Sequence, residues 1–362
     1  MSKLYTVKHL NLGSAKRISD FVSADGLKSK KPYPVFEIDG KENFFKPVSK
    51  TKPYCSDLFP VAEVFVCNVA DAVGHPNAKY SLATCDGISQ NPKYTDNGVL
   101  SQSFLQHGES ALSIHEYLCD NEQVTEEFRK YVNYCMVNYD YTGIFDSKLL
   151  RARPDLAEQL CKKVLWSIYT ANQNFQYSNV MLVKNKDNEA THFGKCFDNE
   201  FSNFFISTEN PNLQAEKLQD IQKSETVKRQ LSFLRQRFPK VVRDFEDRMI
   251  SIRGSDKLRK ICDFTNAKDF IKNSEDTTTR KSGPIEDYHN VILAMIKEGN
   301  VNKAREYFEA MQQASNKKED FYDETLAMQV NERYPYRQFN VDEFSQRTFD
   351  SFSKHIEVVK HI

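Results

Sequence analysis

The stretch from Cys161 to Phe205 constrains this chain most, because three local patterns follow one another in it without a break. Apolar residues recur three and four positions apart up to Ile168, which predicts a helix with one buried face. A polar loop from Ala171 to Asn179 follows. An apolar run, a turn-forming segment and a second arm then predict a β-hairpin that delivers Asp198 at its end. This order of elements is typical of an active-site cassette and not of ordinary core.

A second pattern pairs a lysine on a strand with a glutamate on the following helix. Alternating residues, a tight Asp39-Gly40 turn and a returning run predict a β-hairpin over residues 33–47, with Lys46 late in its second arm. The apolar residues from Leu58 to Val73 predict a helix that carries Glu63. The ordinary alternative is that both charged side chains are solvated surface residues.

Composition limits the partners of the protein. The 362 residues include 50 Lys plus Arg and 50 Asp plus Glu, so no net charge favours DNA or a membrane. The eight cysteines are scattered, with no CxxC pair and no histidine spacing suited to zinc, which predicts reduced thiols and a cytosolic, reducing compartment. No apolar stretch of the kind found in signal peptides or membrane spans is present in the sequence. We therefore expect no transmembrane segment and no Sec signal.

Two parts of the chain resemble the HipA/CtkA-type serine/threonine kinases. The run Phe44 to Pro47 and the segment Phe59 to Gly74 are similar to the lysine strand and the glutamate helix of that family. The segment Leu165 to Leu182 and the run Cys196 to Ser202 are similar to its apolar helix, D-R-H-x-x-N loop, hairpin and F-D pair. The resemblance spans Tyr33 to Phe205. It implies a bilobal α+β protein-kinase-like fold, with a small β-rich N-lobe and a helical C-lobe.

The resemblance also implies an activity, which is transfer of the ATP γ-phosphoryl group to a serine or threonine of a protein substrate with Mg²⁺ or Mn²⁺. In that scheme Lys46 neutralises the ATP phosphates and Glu63 orients Lys46. Asn179 and Asp198 hold the metal.

The segment Asn97 to Phe104 is the candidate for the last strand of the N-lobe and for the hinge between the lobes. The resemblance implies that the backbone there meets the adenine ring, with Ser101 and Gln102 as the binding residues. The alternative is that the segment is an ordinary surface strand.

The chain departs from the family pattern in its catalytic loop, where Asn174-Phe175-Gln176 replace D-R-H. An amide oxygen can accept a hydrogen bond from the substrate hydroxyl, but it cannot take up the proton. Because phosphoryl transfer depends mainly on positioning and charge neutralisation, we expect Asn174 to position the hydroxyl in a slow or conditionally active kinase. The alternative is a pseudokinase scaffold that binds nucleotide or a phosphoinositide without catalysis. Such drift is compatible with a bacterial effector of the Legionella type, secreted into the host cytosol by a non-Sec route.

Basic residues are dense directly after this cassette. Twelve lysines and arginines lie within residues 223–260, and five acidic residues offset their charge only in part. The interleaved apolar residues predict helices with a packed face and a solvated basic face. Because guanidinium groups suit phosphate, the second hypothesis is a site for an activating inositol polyphosphate or phosphoinositide headgroup. Its candidate residues are Lys228, Arg229, Arg235, Arg237, Lys240 and Arg243.

The C-terminal part begins after a polar linker over residues 274–284. The helical hairpin Tyr288 to Gln312 resembles a single pentatricopeptide repeat, which would suggest single-stranded RNA. One copy falls short of the roughly three repeats that a solenoid needs, so an RNA-binding helical-repeat protein is only the third hypothesis. We expect an N-lobe over residues 1–104, a C-lobe over 105–273 with its cassette at 161–205, and a helical extension or docking module over 285–362.

Overall fold

The computed structural model of the chain describes residues 9–12, 16–20, 34–49, 59–88, 94–121, 140–172, 179–196, 224–267 and 341–362. These residues form a six-stranded sheet, a three-stranded sheet and a layer of helices. The predicted α+β class is therefore confirmed. The division into two lobes and the domain boundaries stay predictions.

The larger sheet has the strand order β1-β5-β6-β4-β3-β2. Only the β1–β5 pair is parallel among the described strands. The strands are β1 (His9–Asn11), β2 (Lys16–Asp20), β3 (Pro34–Ile38), β4 (Lys41–Ser49), β5 (Tyr80–Thr84) and β6 (Tyr94–Gln102).

The predicted N-terminal hairpin is confirmed as β3–β4. Asp39 and Gly40 occupy its turn with φ of 52° and 69°, the left-handed pair that a two-residue type I′ turn requires. Strand β6 lies between β4 and β5 at the centre of the sheet, and Gly98, Val99 and Leu100 are buried. The alternative that this segment is a surface strand was therefore wrong.

The predicted glutamate helix is confirmed as α1 (Phe59–Val73), with Pro60 in its first turn. Gly74 follows with φ of 66°, and the His75 N–H donates to the Ala70 carbonyl at 2.8 Å, which closes the helix in a Schellman arrangement. Every residue over 60–67 is buried. A helix buried on all sides must be covered by more than one layer.

The smaller sheet has the order β7-β8-β9, with β7 (Ser110–Ser113), β8 (Met181–Lys184) and β9 (Ala190–Phe193), all antiparallel. The predicted cassette hairpin is therefore confirmed as β8–β9. Its second arm was expected to reach Phe197 but ends as a strand at Phe193, because the chain then leaves β8 and bridges to Asn77 through Cys196.

The helical layer contains the predicted helices at 114–118 and 155–170, the latter beginning with Pro154 at its first position. The helices are α2 (Ile114–Asn121), α3 (Lys148–Ala152), α4 (Pro154–Tyr169), α5 (Glu225–Arg237), α6 (Pro239–Ile252), α7 (Asp256–Ile261) and α8 (Val341–Lys360). The helix predicted over 124–139, the linker over 274–284 and the repeat-like hairpin over 288–312 lie outside the described residues.

One hydrophobic core joins the helices to one face of the larger sheet. The other sheet face carries a smaller cluster around Phe36 and Phe45. The C-terminal helix α8 contributes Phe344, Phe352 and Ile356 to the main core. The end of the predicted C-terminal extension is thus integrated into the fold. Within the described ranges, no helix is both long and apolar enough to cross a bilayer.

Candidate active site

Lys46 lies on the face of the larger sheet that meets α1. Residues directly opposite each other on antiparallel strands share a face. Lys46 pairs with Val99, and Val99 pairs with Leu82, and both apolar residues belong to the core that contains α1. A side chain at Gly98 would collide with the Lys46 carbonyl and the Phe45 ring, so only glycine lets β6 approach β4 this closely.

Glu63 meets Lys46 across this interface. The distance between Lys46 Nζ and Glu63 Oε1 is 3.8 Å, within ion-pair range. The glutamate side chain is 1% exposed and the lysine side chain 25% exposed, so the carboxylate is buried while the lysine side chain is partly exposed. Burial of a carboxylate is costly unless a cation accompanies it, and Lys46 supplies that cation. The structure therefore brings the two predicted residues together; their role toward ATP stays a prediction.

The candidate hinge residues Ser101 and Gln102 lie at the end of β6. Ser101 is opposite Phe44, two positions from the Lys46 pair and on the same face. The Gln102 N–H donates to the Lys79 carbonyl at 3.2 Å, and the Ser103 N–H donates to the Glu42 carbonyl at 3.0 Å. Both of these N–H groups therefore serve the sheet, and the expectation that the backbone of this segment meets adenine stays a prediction. An adenine contact through carbonyls or side chains stays a prediction.

Asn179 and residues 194–196, which precede Asp198 in the sequence, lie at the same end of the β8–β9 hairpin. Leu182 pairs with Phe193, and the Gly194 N–H donates to the Met181 carbonyl at 2.8 Å. Asn179 precedes β8, and residues 194–196 follow β9, so both segments lie at the open end of the hairpin. Whether Asn179 and Asp198 share a metal ion stays a prediction. Asp198 itself and Asn174 lie outside the described residues.

Cys196 is held from four directions. Its N–H donates to the Pro76 carbonyl at 3.3 Å, and its carbonyl accepts from the Ala78 N–H at 2.8 Å. Its sulfur lies 3.4 Å from Lys163 Nζ and 3.4 Å from His75 Nε2. These contacts connect the segment after β9 to α4 and to the connection between α1 and β5.

The side chains around Cys196 are themselves buried, and sequence reasoning missed them. Burial raises the pKa of the Cys196 thiol, an effect that nearby Lys163 opposes. Burial, with Lys163, Lys162 and Arg248 nearby, lowers the pKa of His75 well below its usual value, and the ring of His75 stacks on Trp166 with centroids 4.6 Å apart. The residues are far apart in sequence, and no local pattern joins them.

The catalytic-loop candidate leaves α4 through a strained residue. Ala171 has a φ of 49°, in the region where residues other than glycine are disfavoured. Its N–H donates to the Ile168 carbonyl at 3.2 Å, and the Asn172 N–H donates to the Ser167 carbonyl at 2.9 Å. This closing geometry usually takes glycine, so its occurrence on alanine stores strain directly before the loop.

The basic helices contain ion pairs that the sequence did not reveal. Four of the six proposed polyphosphate ligands meet carboxylates: Lys228 with Glu225 at 2.9 Å, Arg229 with Asp140 at 2.6 Å, Arg235 with Glu246 at 2.8 Å and Arg237 with Asp146 at 2.8 Å. Glu225 and Glu246 belong to the five acidic residues of the segment, whereas Asp140 and Asp146 come from outside it and add to the offset, which the sequence did not show. Lys240 and Arg243 are exposed. The proposed polyphosphate site in this segment stays a prediction.

Other cations of this segment cap α1. Arg248 donates to the Val73 carbonyl at 3.4 Å, and Lys257 donates to the Ala72 carbonyl at 2.5 Å. Positive side chains at a helix C-terminus satisfy its last carbonyls and complement its dipole. The basic segment therefore fixes the end of the helix that carries Glu63.

The two predicted metal ligands are of types that suit a hard divalent cation. An Asn179 amide oxygen and an Asp198 carboxylate are the ligand types that Mg²⁺ and Mn²⁺ prefer. Mg²⁺ is usually held by one or two carboxylates together with substrate phosphates and does not need an all-protein cage. Within the described ranges, no group of three or more His, Cys, Asp or Glu side chains is arranged to hold a metal.

The chain was compared with protein families, curated proteins and solved structures. No protein-family model matches the chain, and no curated protein matches it. Among solved structures, the chain is similar to the Helicobacter pylori proinflammatory kinase CtkA, with 11% sequence identity and a TM-score of 0.45. The match covers 75% of this chain and 95% of that one.

Proposed function

We propose that the chain is an atypical ATP-dependent protein kinase that transfers the γ-phosphoryl group to a serine or threonine. The observation that carries the proposal is the Lys46–Glu63 pair, with Nζ and Oε1 3.8 Å apart across the sheet–helix interface. A lysine on a sheet strand, held by a buried glutamate of the following helix, is the arrangement that binds ATP phosphates in protein kinases.

Each partner of this pair has a distinct task. Lys46 would place a compact positive charge against the phosphates of ATP, which lowers the energy of the charge that develops during transfer. Glu63 would fix the direction of that ammonium group. Because Glu63 is buried and its helix is close-packed, the carboxylate cannot swing away into water.

The hairpin end would supply the metal ligands. Asn179 and Asp198 would hold Mg²⁺ or Mn²⁺, which when bound neutralises phosphate charge. Asn174 would accept a hydrogen bond from the acceptor hydroxyl and orient it. Since an amide cannot take up the proton, transfer would be slower by roughly 10²- to 10⁴-fold than with an aspartate at this position.

A second function, nucleotide binding without chemistry, is favoured by one observation. The amide of Asn174 replaces the carboxylate that normally serves as the base. A pseudokinase of this type would retain Lys46, Glu63 and the metal ligands, so binding and transfer must be measured separately.

The test is transfer of label from γ-labelled ATP to the purified protein itself and to proteins of a cell lysate. We expect slow, metal-dependent labelling of serine or threonine that is lost in Lys46→Met and in Asp198→Ala. Lys41→Met is the matched control, because Lys41 is an exposed lysine on the same strand. Labelling that persists in Asp198→Ala would contradict the proposal. ATP binding without labelling would favour the pseudokinase.

A further inference from the structure

Helix α1 is held between two layers. Residues two positions apart on a helix point about 200° apart, so Glu63 and Phe65 face opposite sides of α1. Glu63 faces the sheet and Lys46. Phe65 is fully buried on the other side, where the helical layer packs. The position of Glu63 therefore depends on what supports α1 from behind.

Aromatic rings from the C-terminal half of the chain provide that support. The ring of Phe65 contacts Phe352 of α8 edge-on, with centroids 5.4 Å apart, and lies 6.2 Å from the ring of Phe264. Phe264 in turn packs 5.3 Å from Phe344, also on α8. Phe352 is fully buried, so its ring fills space that no solvent can enter.

The same helix contacts the segment that leads to the catalytic-loop candidate. His355, one turn after Phe352, lies with Nε2 2.9 Å from the Ile168 carbonyl in the last turn of α4. Ala171, in its left-handed conformation, follows three residues later. Helix α8 thus touches the helix that carries Glu63 and the helix that leads to Asn174.

We propose that α8 is a positioning element of the nucleotide site, and that Phe352 sets the distance of Glu63 from Lys46. The part of this inference that concerns nucleotide rests on the proposed kinase function. Close-packed interiors transmit displacements, because a void on one side of a helix leaves its lining atoms without contacts. Loss of the Phe352 ring lets α1 relax toward α8, which draws Glu63 away from Lys46.

The experiment compares Phe352→Leu with Phe349→Leu in the full-length protein. Phe349 is a matched control, because it is a buried phenylalanine on the same helix whose ring lies under Arg259, with the guanidinium carbon 4.3 Å from the centroid. Both variants lose one ring from α8. Of these two rings, Phe352 is the one that contacts Phe65. Thermal unfolding of both variants measures the stability effect separately, and Phe352→Met serves if Phe352→Leu does not fold.

Two measurements report on the site. Calorimetry gives the affinity for ATP with Mg²⁺, and mass spectrometry gives the rate at which a small acylating reagent modifies Lys46. Acylation needs the neutral, unpaired amine, so a looser ion pair raises this rate. The second measurement requires no nucleotide, which keeps the positioning claim testable if the kinase proposal fails.

We expect Phe352→Leu to weaken ATP binding roughly tenfold and to raise Lys46 acylation, while Phe349→Leu changes neither. In a Glu63→Gln background, Phe352→Leu should have no further effect on either quantity, because the coupling runs through Glu63. Equal effects of the two phenylalanine variants, or an undiminished effect in the Glu63→Gln background, would overturn the inference. Absence of ATP binding in the wild type would instead defeat the proposed function, with Lys46 acylation still deciding whether Phe352 positions the pair.

Discussion

Two regions of the molecule hold cations against carboxylates, and they do so differently. At the sheet–helix interface, Lys46 Nζ lies 3.8 Å from the buried carboxylate of Glu63. On the basic helices, Arg235 contacts Glu246 and Arg237 contacts Asp146, each at 2.8 Å. In the arginine pairs the cation is in hydrogen-bond contact with its carboxylate, whereas in the lysine pair the two groups lie 3.8 Å apart and the carboxylate is almost completely buried.

We expect this difference to separate cations that link elements of the fold from the cation that we propose binds phosphate. Arg237 is fixed by its carboxylate and also lies within 6.0 Å of the ring centroids of Phe145, Phe233 and Phe238. An arginine held this way links elements of the fold. Lys46 carries a compact charge on a partly exposed side chain, with its direction set by a carboxylate that cannot move. Density of basic residues in the sequence therefore did not show which of these cations pair with carboxylates, and the polyphosphate site stays a prediction.

The largest expected effect comes from removing the carboxylate of each pair in turn. Glu63→Gln should lower the rate of phosphoryl transfer roughly 10²- to 10³-fold, because Lys46 loses the group that orients it. Glu246→Gln should leave the rate unchanged and lower thermal stability, since Arg235 loses its partner. Initial rates at saturating ATP and melting curves check both. Similar losses of activity in the two variants would remove the distinction between the regions.

A smaller effect concerns His355 of α8, which lies outside both ion-pair regions, and it changes the pH dependence of stability. Burial lowers the pKa of His355 from 6.5 to about 4, although its hydrogen bond to the Ile168 carbonyl opposes this. The folded protein then keeps His355 neutral where the unfolded chain would protonate it. Its contribution is complete above pH 6.5 and is lost as the pH falls to about 4. The total loss is about 3 kcal/mol.

Denaturant unfolding between pH 7 and pH 4 measures this contribution. His355→Gln should flatten the decline in stability with acid, and hydrogen exchange should show that the helical layer around α8 opens first. His75, whose pKa is also lowered by burial, adds a decline of the same sign that the variant retains. An unchanged pH slope in His355→Gln would show that other groups govern acid unfolding.

Local patterns in the sequence were sufficient to predict several of the elements around the candidate site. The Asp39-Gly40 turn, the apolar periodicity of α1 and the Pro154 start of α4 are each encoded within one element, and all three are confirmed. These elements placed Lys46 and Glu63 together because strand and helix are neighbours along the chain.

Features that depend on distant residues were not predictable in this way. Arg229 meets Asp140 across 89 sequence positions, and His355 meets Ile168 across 187. The cluster of His75, Lys163 and Cys196 likewise forms only after the chain has folded. Charge or apolar pattern shows that such a residue needs a partner, but it does not show where that partner lies.

The most direct test of the central claim is calorimetric titration of ATP with Mg²⁺ into the wild type, Lys46→Met and Arg237→Met. If the lysine pair is the phosphate site and the arginine pair is structural, the wild type and Arg237→Met bind ATP with similar affinity and Lys46→Met loses binding. Unaltered affinity in Lys46→Met, or loss of binding in Arg237→Met with its fold intact, would contradict the assignment of Lys46 as the phosphate-binding residue.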